Sequence, residues 1–130
     1  MPRPRLPHPT PRELEVLRLL WERGPRTIRE ILDALPHDLA YTSVMSLLNV
    51  MFEKKLVSRV PEGRAFRYIA RYQPDQTQRN MVGDLLKRVF DGSAKNLVAR
   101  LLEQADPSSE ELDAIHRLIE EHQKRKEDET

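Results

Sequence analysis

Two copies of one short pattern, Thr10-Pro11-Arg12-Glu13 and Thr27-Ile28-Arg29-Glu30, constrain this chain more than anything else in it. In each, a hydroxyl is followed three residues later by glutamate, so two otherwise orphaned amides can be satisfied reciprocally; this marks a helix N-terminus. Pro11 falls on the first helical position, where a missing N–H costs nothing. One helix therefore starts beside Thr10 and must end before Thr27, where a second begins. Leu14, Leu17, Leu20 and Trp21 recur at three- and four-residue spacing and give the first helix one apolar face, which Gly24-Pro25 closes. Ile28, Ile31, Leu32 and Leu35 form the second stripe, halted by Pro36.

A third helix is expected from about Thr42 to Lys55, with Val44, Leu47, Leu48, Met51 and Phe52 on its buried face. Its other face carries Thr42, Ser43, Met45, Ser46, Asn49 and Val50. Directly after it, Leu56 to Val60 and Ala65 to Ile69 flank Pro61-Glu62-Gly63-Arg64, which predicts a β-hairpin. Three helices and a hairpin in this order make a winged helix, an elaborated helix-turn-helix. The expected fold class is mainly α with a small β-hairpin wing: a winged-helix domain at residues 10–74, then a helical dimerisation domain at residues 75–123. Residues 124–130 form a charged tail. The first nine residues hold four prolines and two arginines, a composition that disfavours helix and predicts a mobile basic arm.

The rear half is helical throughout. Apolar positions fall at Met81, Leu85, Leu86, Val89 and Phe90 in one stretch, at Leu97, Val98, Leu101 and Leu102 in a second, and at Leu112, Ile115, Leu118 and Ile119 in a third. These helices have too few apolar residues on opposing faces to close a core alone, so the stripes are expected to meet a second copy of the chain.

The net charge of +1 divides unevenly: residues 1–74 hold 13 Lys/Arg against 8 Asp/Glu, and residues 75–130 hold 9 against 13. A basic front half suits a polyanion. A helix fits the major groove of DNA, and hydroxyl and amide side chains near its N-terminus reach base edges, which makes Thr42, Ser43, Met45, Ser46 and Asn49 candidate reading residues. Arg64 and Arg67 of the hairpin, with Lys54, are candidate phosphate contacts. The polar face of a core helix also looks like this when it binds nothing, and a winged helix can serve as a protein-interaction module instead. Salt-sensitive duplex binding separates the two readings.

The absence of cysteine removes disulfides, thiolate metal sites and cysteine nucleophiles, and fits a cytoplasmic address. No apolar run is long enough to span a membrane, and residues 1–9 have no signal-peptide core. The four histidines, His8, His37, His116 and His122, stand in unlike contexts without metal-ligand or catalytic spacing. No enzyme activity, cofactor, metal, small-molecule substrate or direct membrane binding is expected.

Four motifs in order resemble the penicillinase repressor family, the BlaI/MecI/CopY regulators. They are Thr10-Pro-Arg-Glu-Leu-Glu-Val-Leu with Leu20-Trp21-Glu22, Thr27-Ile28-Arg29-Glu30-Ile31, Tyr41-Thr42-Ser43-Val44-Met45-Ser46-Leu47-Leu48-Asn49, and Gly63-Arg64-Ala65-Phe66-Arg67-Tyr68. The likeness covers about residues 8–120. It implies a homodimeric repressor of a palindromic operator, with Thr42, Ser43, Met45 and Ser46 on the recognition helix and Gly63 and Arg64 in the wing. In the β-lactam-responsive branch, a membrane-bound sensor protease triggers cleavage inside the dimerisation region. Arg100-Leu101 stands where those members usually have Asn-Phe, and is the candidate cleavage position here. Val50 replaces a common arginine, and Lys55 stands where a helix-ending glycine is usual. A copper-sensing version needs cysteines that this chain lacks.

Overall fold

The computed structural model describes residues 8–129. Of the basic arm expected over residues 1–9, residues 1–7 lie outside them. The chain divides into two compact units, one up to Asp84 and one from Leu85 onward. The division expected at 74–75 coincides with the head of a helix that the front unit follows ten residues further.

The front unit opens with α1, Pro11–Arg23, whose start is the capping box that its sequence predicts. The Thr10 hydroxyl accepts from the Glu13 amide at 3.3 Å, and the Thr10 amide donates to Glu13 Oε1 at 2.8 Å. Gly24 ends the helix at φ +81°, a conformation that side chains disfavour. A two-residue strand β1, Arg26–Thr27, follows, and Thr27 then caps α2, Ile28–Ala34, through the second box. Helix α3 runs from Tyr41 to Glu53. The hairpin strands are β2, Val57–Glu62, and β3, Ala65–Ala70, joined through Gly63 and Arg64. A positive φ at Gly63 alone matches the two-residue type II′ turn, whose twist suits a hairpin.

The hairpin is part of a three-stranded antiparallel sheet, ordered β1-β3-β2. Thr27 lies opposite Arg67 across β1 and β3, and Arg59 lies opposite Tyr68 across β2 and β3. One core joins these elements: Val16, Leu17 and Leu20 of α1, Ile31 of α2, Val44, Leu48 and Met51 of α3, and Val57 and Tyr68 of the sheet are all buried. Phe52 departs from its expected place on the buried face of α3. It is 38% exposed, and the Arg59 guanidinium lies over its ring.

Helix α4, Pro74–Arg88, crosses the division. The rear unit continues through a turn at Asp91-Gly92 to α5, Ala94–Ala105, and α6, Ser109–Asp128. Ser93 and Ser108 cap these helices by accepting from the amides of Asn96 and Glu111. α6 runs through most of the segment expected as a charged tail, since Lys, Arg and Glu are good helix formers. No residue of α5 or α6 is buried.

Candidate nucleic-acid interface

Helix α3 divides cleanly by burial. Val44, Leu48 and Met51 are sealed in the core, which fixes the rotation of the helix, while Thr42, Ser43, Met45, Ser46 and Asn49 are all exposed on the remaining sides. The five candidate reading residues are therefore presented to solvent. Helices α1, α2, α5 and α6 all begin with a hydroxyl cap, but α3 begins at Ala40, which has no side chain able to accept. The Ser43 amide turns back to the Ala40 carbonyl at 3.1 Å, which leaves the amides of Tyr41 and Thr42 for water or an incoming anion, at the positive end of the helix dipole.

The far end of α3 is held by a Schellman motif. Leu56 N–H donates to Met51 O at 2.9 Å and Lys55 N–H to Phe52 O at 3.0 Å. The motif needs a left-handed residue between, and Lys55 supplies it at φ +65°. The chain thereby turns at once into β2, which sets the wing next to α3.

Of the expected phosphate contacts, only Arg64 stands free. It is exposed at the wing tip beside Gly63, with no ion-pair partner among the described residues. The Lys54 Nζ is engaged within the chain: it donates to both carboxylate oxygens of buried Glu13, at 2.8 and 3.1 Å, clamping the end of α3 to the start of α1. A buried carboxylate requires such a partner, so the ammonium serves the fold. Arg67 is engaged as well. It donates to Glu62 at 2.6 and 3.0 Å and to Pro25 O at 3.0 Å, and pairs with Glu30 at 3.3 Å. The hydrogen bond to Glu62 is the main reason its guanidinium is held above its ordinary value. Glu30 is displaced downward, first by the Thr27 amide, then by the Thr27 hydroxyl, with attraction from Arg67 and Arg26.

Two cations not among the sequence candidates border the same surface. Arg29 of α2 lies over the Tyr41 ring at 5.1 Å, and Arg59 of β2 lies between Phe52 at 4.0 Å and Phe66 at 4.3 Å. The sequence marks Arg59 only as one of three arginines of a basic hairpin and does not mark Arg29, because the rings that hold them come from other elements.

In the rear unit, the twelve candidate dimerisation residues are all at least partly open. Leu85, Val89, Val98, Leu101, Leu112, Leu118 and Ile119 are exposed, between 40% and 67%, and Leu86, Phe90, Leu97, Leu102 and Ile115 are half-buried. Arg100 and Leu101 lie within α5, where Arg100 pairs with Glu103 at 2.9 Å. Among the described residues no helix is long and apolar enough to cross a membrane.

The family model described as penicillinase repressor matches residues 9–121. The chain is 33% identical over 111 residues to the transcriptional regulator BlaI of Mycobacterium tuberculosis, covering 82% of this chain and 79% of that protein. It is 23% identical to the penicillinase repressor of Bacillus licheniformis, covering 94% and 97%, and 17% identical to the methicillin resistance regulatory protein MecI of Staphylococcus epidermidis, covering 82% and 89%. Among solved structures, the transcriptional regulator Tm0710 from Thermotoga maritima aligns with a TM-score of 0.48 at 16% identity, over 93% of this chain and 78% of that one.

Proposed function

This chain belongs to the penicillinase repressor family of DNA-binding transcriptional regulators, and from that premise we propose that it represses as a homodimer on a palindromic operator in the bacterial cytoplasm. Each subunit lays α3 in a major groove, with Thr42, Ser43, Met45, Ser46 and Asn49 towards base edges and Arg64 on the phosphates. Half-sites then lie about one helical turn apart, or a small multiple of it. Repression follows because the bound dimer occupies the promoter.

The observation that carries this reading is the division of α3: one face is locked into the core by Val44, Leu48 and Met51, and the hydrogen-bonding residues are turned out beside an uncapped N-terminus. The open apolar faces of α5 and α6 support pairing of two copies. Derepression then needs only that pairing be lost. Cleavage at Arg100-Leu101 by a sensor protease would achieve it, provided that α5 first unwinds locally to enter an extended protease cleft.

A mobility-shift series tests the reading. Duplex binding should weaken steeply as salt rises, Arg64→Ala should lower affinity on every sequence, and Ser46→Ala should change the preference between sequences by about 1–3 kcal/mol at the contacted position. A dimer that shows no salt-sensitive duplex binding would instead favour a protein-interaction module.

A further inference from the structure

Between α3, the head of α2 and the inner side of the hairpin lies a cleft of about 350 Å³. Its size is in the range of small-ligand sites, and its lining is their usual mixture, apolar walls with a few polar groups. Met45 and Asn49 line it from α3 and Phe66 from the hairpin, with buried Tyr68 beneath. Three guanidinium groups, Arg29, Arg59 and Arg64, also border it.

These cations differ from Arg67 of the sheet. Arg67 is neutralised by Glu62 and Glu30. Arg29, Arg59 and Arg64 have no carboxylate partner among the described residues, and no Asp or Glu lines the cleft. Arg29 and Arg59 are already held over aromatic rings, so little of their freedom remains to be lost when an anion arrives.

We propose that this cleft binds a small aromatic carboxylate that competes with DNA. The carboxylate would take charge-assisted, bidentate hydrogen bonds from the guanidinium groups, and the ring would pack against Phe66 and Met45. A phosphate alone uses the cations but leaves the apolar walls bare, which is why an aromatic anion is the better match. Because Met45, Asn49 and Arg64 belong to both surfaces, an occupied cleft obstructs the approach of the duplex. The competition, though not the binding, rests on the DNA reading of α3.

The test uses the full chain and naphthoate as the probe, titrated first without DNA by calorimetry. Saturable binding of one probe per chain, with a Kd of about 1 mM or tighter, is expected. Arg29→Gln and Phe66→Leu, each checked for an unchanged melting curve, should weaken it by about tenfold, and naphthalenemethanol, the neutral analogue, should bind at least tenfold more weakly. With a labelled operator duplex at constant ionic strength, naphthoate at about twice its Kd should raise the apparent Kd for DNA about threefold, by simple mass action. Inorganic phosphate at the same concentration should not. Absence of saturable naphthoate binding, equal binding of the neutral analogue, or indifference to both variants overturns the inference. So does equal displacement by inorganic phosphate, which would make the cleft a seat for the DNA strand alone. If the duplex binds but naphthoate does not displace it, the competition fails and the DNA reading stands. If no duplex binds, that reading fails, while the DNA-free titration still decides the cleft.

Discussion

Lys55 sits at φ +65° as the left-handed residue that closes the Schellman motif of α3, a position where glycine carries no steric penalty. Lys55→Gly should therefore stabilise the chain, by about 0.5–1 kcal/mol once the greater freedom of glycine in the unfolded chain is subtracted. A rise in the urea midpoint at unchanged slope is the measurement, and a fall would show that the lysine side chain makes a contribution the backbone argument omits. One residue earlier, Lys54 holds buried Glu13 at 2.8 Å. Lys54→Met leaves that carboxylate without its cation. Since the Lys54 side chain is 30% exposed and partly screened, the loss should be about 2–3 kcal/mol, below the upper range for a fully buried pair. Glu13→Gln combined with Lys54→Met should recover part of it, because the stranded charge is gone. An additive double variant would mean that the pair does not couple α1 to α3. The sequence makes Glu13 legible as a capping residue but not as a buried one, since that depends on a lysine 41 positions away. For the same reason Lys54 and Arg67 look like free cations in the sequence, and are found engaged only when their carboxylate partners are placed.

At the scale of elements, both capping boxes, the Gly24 stop and the hairpin were legible because each is local, although the expected turn Pro61-Glu62-Gly63-Arg64 narrows to Gly63-Arg64, with Pro61 and Glu62 paired in β2. Strand β1 was not, since two residues have no periodicity and Arg26–Thr27 become a strand only by pairing with Arg67 and Tyr68 of β3. Phe52 was misplaced for a related reason. It has the spacing of a core residue, but its ring meets the Arg59 guanidinium on the outside. The junction of β1 and α2 carries a pH dependence. The Thr27 amide and hydroxyl hold Glu30 below its ordinary carboxylate value, so near that value the folded chain binds fewer protons than the unfolded one. Its contribution to stability is complete above the ordinary glutamate range and is lost as pH falls through the lowered folded value. Glu30→Gln should accordingly be less stable than the parent at about pH 7 and should converge with it as pH falls through the lowered folded value. Urea midpoints across that interval check the sign, and a gap that stays constant would assign the loss to packing rather than ionisation.

For the molecule as a whole, the two units face opposite problems. The front unit closes its own core: Val16, Ile31, Val44, Leu48 and Met51 have essentially no exposure, and burying each such side chain is worth about 1.5–3 kcal/mol. The rear unit leaves Val89 more than half exposed in the turn after α4, and Leu101 and Leu118 likewise on α5 and α6, two helices with no buried residue. Capped helices with open apolar stripes gain by covering them, and in the proposed homodimer a second copy of the chain would bring the same stripes about a two-fold axis. The open apolar stripe was legible in the periodicity of the leucines, whereas the geometry of the proposed pairing depends on how two copies meet. A charge placed in the stripe separates association from folding, since a carboxylate at a paired apolar surface must be desolvated while one on a solvated helix is harmless. Leu118→Asp should leave the melting of the front unit near the parent value and shift the chain from dimer to monomer in sedimentation. Operator affinity should then fall by about a hundredfold, because two linked contacts become independent. The same substitution should barely affect binding to a single half-site, which one front unit can occupy alone. A variant that remains a dimer, or one that loses half-site and full-site binding equally, would place the subunit contact elsewhere and remove the link between pairing and repression.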